Sequence, residues 1–96
     1  MSVFIVARID IEDRARYAQY EAGFMRVFEA HGGKLLAVDE APEVMEGQWP
    51  VTRTVLIEFP DRSAAMRWYE SDDYQALARH RFAASRADIA LLAALP

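Results

Sequence analysis

Hydrophobic and polar positions follow two periods along the chain, one typical of strands and one typical of helices. An apolar, β-branched run at Val3–Ile9 predicts a first strand. Asp10, with Asp13 three residues later, is then expected to cap a helix, which Gly32-Gly33 ends because glycine accepts a left-handed backbone. The larger apolar residues of this helix have the i, i+3, i+4, i+7 spacing of one buried face: Tyr17, Tyr20, Phe24, Val27 and Phe28.

Three further apolar runs predict the remaining strands, over residues 34–40, 52–59 and 86–95. The first two are joined by a connection over 41–51, which is long for a compact domain. Trp49 in this connection is expected to form a lid over the sheet edge or a dimer contact.

Two helices are predicted between the third and last strands. Asp61 or Ser63 can cap the first of them, which runs to about Tyr69. Cap residues at 71–73 then start a short second helix. Its apolar face is predicted to hold Tyr74, Leu77, Ala78 and Phe82.

The order β-α-β-β-α-α-β predicts an α+β fold of the ferredoxin-like βαββαβ type, formed by residues 1–96 as one domain. We expect a four-stranded antiparallel sheet with helices on one face, but with the first and third strands central and running in the same direction. By strand parity, Phe4, Val6 and Leu56 lie on the face that the helices leave uncovered. Pairing two such faces would bury this apolar surface, so we expect a homodimer with facing sheets.

Charge and composition remove several classes of function. Fifteen acidic and eleven basic residues give a net charge of −4, a poor match for nucleic acid. The chain has no cysteine, which excludes disulfides, thiol catalysis and thiolate metal sites. No apolar stretch approaches the ~20 residues of a spanning helix, and no export signal follows Met1. We therefore expect a cytoplasmic protein without nucleic-acid or membrane partners.

Charged residues on the two central strands suggest a polar site. If these strands run in the same direction, Arg8 and Glu58 fall at the same end, on one face with Thr54, and lie within pairing reach. An Arg and a Glu at the edge of an apolar cavity are typical of a small-molecule pocket. The alternative is an ion pair that only satisfies itself.

The histidines and aromatic residues add further candidates. Neither His31 nor His80 has a partner at metal-ligand spacing, so no metal site is predicted. His31 is a candidate acid or base, or a helix-terminal residue favoured by the dipole, whereas His80 is expected to be solvated. Aromatic side chains could line a ligand pocket or pack only in the core; they are Tyr17, Tyr20, Trp68, Tyr69 and Tyr74.

Several stretches together resemble a known family, domain of unknown function 1330, a branch of the dimeric α/β-barrel superfamily. The resemblance spans nearly the whole chain. Its residues are Tyr17 and Tyr20, the segment 32–36, Glu46-Gly47, Arg53 with the segment 55–60, and Ala65 through Trp68 to Tyr74, followed by Arg81. It implies a ferredoxin-like fold whose two sheets close into a barrel across a dimer, but no particular reaction. Related barrel families include cofactor-independent monooxygenases, lactone isomerases and haem enzymes; no haem ligand is recognisable here, so we expect no cofactor.

Two hypotheses follow. In the first, a dimer binds a small organic molecule in a cavity between sheet and helices and acts as a cofactor-independent, monooxygenase- or isomerase-like enzyme. Arg8 or Arg53 would then hold a carboxylate or enolate, and His31 or Glu58 would move a proton. The remaining candidate ligand-binding residues are Tyr17, Tyr20, Thr54, Trp68 and Tyr74. In the second hypothesis the protein is a non-enzymatic binding or assembly module, and a filled apolar interior would favour it over a cavity of about 300 Å³ or more.

Overall fold

A computed structural model describes all 96 residues and has the predicted element order. The elements are β1 (Val3–Ile11), α1 (Arg14–Ala30), β2 (Lys34–Asp39), β3 (Arg53–Phe59), α2 (Arg62–Glu70), α3 (Asp72–Ala84) and β4 (Ser85–Ala93). The α+β, ferredoxin-like prediction is confirmed. No helix is both long and apolar enough to cross a lipid bilayer.

The sheet has the strand order β2-β3-β1-β4, and every neighbouring pair is antiparallel. The expectation that β1 and β3 run in the same direction is therefore wrong, because inserting β3 between β1 and β2 reverses it relative to both. Arg8 pairs with Thr54, whereas Glu58 pairs with Phe4. Four residues of extended strand, about 13 Å, separate Arg8 from the end that holds Glu58. The two charges share a face but do not form the expected pair.

Side-chain caps fix where each helix begins. Asp13 accepts a hydrogen bond from the amide of Arg16 and caps α1. Asp10 does not cap this helix, because β1 continues to Ile11 and Asp10 lies in the strand. Asp61 caps α2, and the hydroxyl of Ser71 accepts from the amide of Tyr74 to cap α3. This last cap turns the chain between α2 and α3 within one residue.

The core lies between the helices and one face of the sheet. Alternate residues of β1 are buried there: Val3, Ile5, Ala7 and Ile9. Aromatic side chains from both layers fill the space between them, and Phe28 of α1, Phe59 of β3 and Tyr74 of α3 are each less than 2% exposed. The Trp68 ring lies 5.2 Å from Phe59 and 4.2 Å from Tyr74 between ring centres, so α2 and α3 are joined to the sheet through aromatic packing.

The other face of the sheet carries no helix. We call it the open face; it includes Phe4, Val6, Arg8, Thr54, Leu56, Glu58, Ala90 and Leu92, which the strand register places on one side. Leu92 is 48% exposed there. Trp49 from the β2–β3 connection covers one end: its indole N–H donates to the Thr54 hydroxyl at 2.8 Å, and the Arg8 guanidinium lies 4.7 Å from its ring centre. The middle of the open face stays apolar and uncovered.

Candidate ligand cavity

Two adjoining chambers lie between the helices and the covered face of the sheet. The outer chamber has a volume of 210 Å³ and opens between α1 and β2, where Met25 and Leu35 are exposed. The inner chamber has a volume of 30 Å³ and lies deeper, against α2 and α3. Ile9, Tyr20 and Phe24 line both chambers, so the inner one is an extension of the outer one.

Arg81 is the one charged residue that the fold buries, and it lines the inner chamber. Its side chain is 4% exposed, and no carboxylate forms an ion pair with it. The guanidinium lies 5.7 Å from the ring centre of Tyr20 and 4.9 Å from that of Phe82, while its Nε has no hydrogen-bond partner. Arg81 therefore brings a positive charge without a carboxylate partner to the inner end of the cavity.

Two tyrosines surround this charge. The hydroxyls of Tyr20 and Tyr74 share a hydrogen bond of 2.8 Å, and both side chains are buried. Burial raises the pKa of Tyr20 far above its usual range, and the neighbouring Tyr74 adds to that shift. Burial opposes the charge of Arg81, but the oxygens of Tyr74 and Tyr20 hold its pKa above the ordinary value. At neutral pH the inner chamber therefore contains the cation of Arg81 beside the neutral phenol of Tyr20.

A second arginine lies at the mouth of the outer chamber. Arg53, at the start of β3, pairs with Glu21 of α1 at 3.4 Å and with Glu40 at 3.2 Å. Its guanidinium also lies 5.7 Å from the ring centre of Tyr17, and burial raises the pKa of that phenol. Unlike Arg81, Arg53 is neutralised by carboxylates, so the positive potential of the cavity is concentrated at its inner end.

The structure divides the predicted site residues between several places. Five candidates are beside the cavity: Tyr17, Tyr20, Arg53, Trp68 and Tyr74. Arg8 and Thr54 lie on the open face in contact with Trp49. A single cavity that joins these two groups is ruled out by strand parity, because the sheet itself stands between them.

The two candidates for proton transfer also lie away from the cavity. His31 follows the last turn of α1, where its Nδ1 donates to the carbonyl of Val27 at 2.9 Å. Glu58 is on the open face beside Lys34, its cross-strand neighbour. His80, expected to be solvated, is half-buried and accepts a hydrogen bond from Arg16 at 2.9 Å. Neither His31 nor Glu58 lines either chamber.

The sequence interpretation named Arg81 only within the family resemblance and did not place it in a site, because it assigned the adjacent Phe82 to the buried face of α3. The buried face holds Tyr74, Ala78 and Arg81, at i, i+4 and i+7, and Phe82 is 53% exposed. Both registers fit helical spacing, and hydrophobicity favours the phenylalanine. The signal for the correct register was the polar residue itself, since an arginine among apolar helix positions marks a buried polar site.

The chemistry available in the cavity is the binding of a negative charge. Arg81 supplies a fixed cation, and the buried Nε1 of Trp68 is a second donor without a partner. No free base lines the inner chamber, and the one carboxylate of the outer chamber, Glu21, is paired with Arg53. The site can therefore hold and stabilise an organic anion, but it offers no evident group to generate one.

The fold and cavity together define a class, that of ferredoxin-like α+β proteins with a largely apolar pocket between sheet and helices that holds one buried arginine. Within it, the chain belongs to the family described as domain of unknown function (DUF1330), which matches residues 2–95. A search of curated proteins finds no significant match to this chain.

Solved structures share this fold at low sequence identity. A protein of unknown function from Rhodopseudomonas palustris has a TM-score of 0.84 at 18% identity, with 99% of this chain and 83% of that chain covered. SnoaB, a cofactor-independent oxygenase from Streptomyces nogalater, has a TM-score of 0.70 at 18% identity, with coverages of 99% and 94%. A dimeric ferredoxin-like protein of unknown function from Jannaschia sp. CCS1 has a TM-score of 0.67 at 13% identity, with coverages of 98% and 100%. At these identities the likeness concerns the fold alone.

Proposed function

We propose that the protein binds a small organic molecule in the cavity between sheet and helices. The observation that carries this proposal is the buried guanidinium of Arg81, which lines the inner chamber without a carboxylate partner. A buried cation costs several kcal/mol of folding free energy unless something compensates it, and a bound ligand anion would do so. Such costs are typical of binding sites, where stability is lost in exchange for function.

The cavity volume alone does not separate this proposal from a plain assembly module. Its 210 Å³ and 30 Å³ chambers are smaller than a typical ligand pocket, which starts at about 300 Å³, but the interior is not filled either. The polar groups decide the comparison. Four buried side-chain nitrogens have no hydrogen-bond partner, on Arg8, Arg53, Trp68 and Arg81. Two of these residues, Arg81 and Trp68, line the inner chamber, where an assembly module has no use for them.

The same site would also support a reaction that needs no cofactor, because the group that binds an anion also stabilises an anionic intermediate. A fixed cation in a cavity of this kind stabilises an enolate or a phenolate, and it does so with little reorganisation. SnoaB, which shares the fold, is a cofactor-independent oxygenase. In the proposal Arg81 takes the role of anion holder that the sequence suggested for Arg8 or Arg53.

We further propose a homodimer that pairs the open faces. Phe4, Val6 and Leu56 form the apolar centre of that face, and a fold relative from Jannaschia is dimeric. The ligand cavities lie on the opposite side of each sheet, so each protomer keeps its own. The cytoplasmic location expected from the sequence stays a prediction.

Native mass spectrometry tests both parts in one sample. We expect a dimer of about twice the 10.9 kDa chain, and denaturation should release a stoichiometric small molecule if one co-purifies. A monomer at micromolar concentration would contradict the dimer. Binding is tested separately by calorimetric titration with a library of small organic acids; a library without a single binder would contradict the cavity proposal.

A further inference from the structure

The two chambers of the cavity differ in size and in lining, and these differences restrict the ligands that the cavity can bind. The outer chamber is lined mainly by apolar and aromatic side chains, among them Tyr17, Phe24 and Val55. The inner chamber is lined by Arg81, Tyr20 and Tyr74 beside apolar residues. A ligand that occupies both must have an apolar body and one polar end.

The size of the inner chamber limits the polar end. A space of about 10–15 Å³ admits one water-sized sphere, so 30 Å³ admits about two. A carboxylate presents two oxygens of that size. Arg81 and Trp68 line this chamber, and because one of the two tyrosine hydroxyls donates to the other, one hydroxyl hydrogen is left to donate to a ligand. A phosphate or sulfonate would bring at least three oxygens and exceed the space.

The size of the outer chamber limits the body. A cavity of about 150 Å³ is enough to bind benzene. The 210 Å³ of the outer chamber therefore accommodates one six-membered ring with a small substituent, but not a fused three-ring system. The aromatic side chains of Tyr17 and Phe24 at the walls favour an aromatic ring over a branched chain.

We infer that the ligand is a monocyclic organic acid, with its carboxylate in the inner chamber on Arg81 and its ring in the outer chamber. This inference rests on the proposed function and narrows it to a substrate class. It also implies that a polycyclic aromatic compound would not enter the cavity.

Two indole N–H groups make the inference measurable by NMR. Trp68 lines the inner chamber with its Nε1 unpartnered, whereas Trp49 donates to Thr54 on the open face, on the far side of the sheet. The two side-chain signals of the ¹⁵N-labelled dimer are assigned by the Trp49→Phe variant, which lacks one of them. The Trp49 signal then serves as an internal control in the unmodified protein.

Three probes separate charge from size: benzoate, the neutral benzamide and the three-ring anthraquinone-2-carboxylate. We expect benzoate to shift the Trp68 signal while the Trp49 signal stays in place. Benzamide should bind at least tenfold more weakly, since hydrogen bonds to charged groups exceed neutral ones by about that factor. The three-ring acid should leave the Trp68 signal unchanged.

Two variants identify which residue makes the cavity prefer a charged ligand over a neutral one. Arg81→Met removes the cation at similar length, and we expect it to abolish the preference for benzoate over benzamide. Arg79→Met removes an exposed arginine two residues away on the same helix and should keep that preference. If Arg81→Met does not fold, the probe comparison on the unmodified protein still tests the inference.

The outcomes distinguish the inference from the proposed function. If benzamide binds within tenfold of benzoate, or if the three-ring acid shifts the Trp68 signal, the cavity stands as a ligand site and the assignment of the ligand class is overturned. If no probe shifts the Trp68 signal and the broader library of small organic acids also yields no binder, the proposed function fails together with the inference.

Discussion

Replacing Arg81 with methionine should make the empty protein more stable. The guanidinium is 4% exposed and has no carboxylate partner, and an unpaired buried ion costs several kcal/mol even after the surroundings relax. Against this cost stand two cation–π contacts, with Tyr20 and Phe82, each contributing about 0.5–1 kcal/mol. Polar contacts with the tyrosine oxygens add about 1.5–3 kcal/mol.

Methionine fills a similar volume, and its burial contributes about 1.5–3 kcal/mol through removal of apolar surface from water. The aliphatic stem of Arg81 already buries part of that surface, so only the difference counts, and the balance is a rise of about 1 kcal/mol in the free energy of unfolding. For a domain of this size each kcal/mol raises Tm by about 4–8 °C. The same substitution removes the anion site, so stability and binding should change in opposite directions.

Urea unfolding followed by circular dichroism measures this effect, with both proteins at the same protomer concentration because dimerisation adds to the apparent stability. Arg79→Met is the matched control, since Arg79 is exposed on the same helix; it should stay within about 0.5 kcal/mol of the unmodified protein. An unchanged or lowered stability of Arg81→Met would refute the reasoning, because it would mean that the fold already compensates the buried charge.

Three further substitutions test other parts of the structure. Tyr20→Phe removes the buried hydrogen bond between the hydroxyls of Tyr20 and Tyr74, and urea unfolding should show a free energy of unfolding that is lower by about 1–2 kcal/mol. An unchanged free energy would mean that this hydrogen bond does not stabilise the fold. Gly33→Ala would place a Cβ against the buried Phe28 ring, and we expect calorimetry to show a loss of about 1–3 kcal/mol in the free energy of unfolding. An unchanged free energy would contradict this and mean that the ring moves aside. Glu40→Gln should flatten the fall of stability on acidification, measured by urea midpoints at low salt. The hydrogen bond from Arg14 holds the Glu40 pKa below its usual range, so its contribution is present above the unfolded pKa of about 4.3 and is lost as pH falls through the lower folded pKa. The difference between the two proteins is small because the Arg14–Glu40 pair is exposed. If the stability of both proteins falls equally as the pH is lowered, the reasoning is contradicted.

Strand and helix periodicity predicted the architecture because each element has one face that must be buried. The alternation in β1 identified Val3, Ile5 and Ala7 as one side of the sheet without any knowledge of its neighbours. Periodicity does not predict strand direction, because direction depends on the path that the loops give the chain. The expected parallel pairing of β1 and β3 was wrong for that reason. The false pairing of Arg8 with Glu58 followed directly from it.

Local competition explains the smaller errors. Asp10 and Asp13 are both good helix caps, and only the pairing of β1 with β4 decides that Asp10 belongs to the strand. In α3, helical spacing allows either Arg81 or Phe82 on the buried face, and in the structure the buried residue is Arg81. A buried charge contradicts local hydrophobic preference, and such contradictions concentrate at functional sites.

The sheet separates two sets of constraints that alternate residue by residue along β1. Ile5, Ala7 and Ile9 touch the chambers, whereas Phe4 and Val6 belong to the surface proposed for pairing with a second copy. A substitution at one position can therefore alter ligand choice without altering the choice of partner, and its neighbour can do the reverse. Relatives with this fold could diversify in ligand and in assembly independently, by changing odd-numbered or even-numbered residues of the same strand.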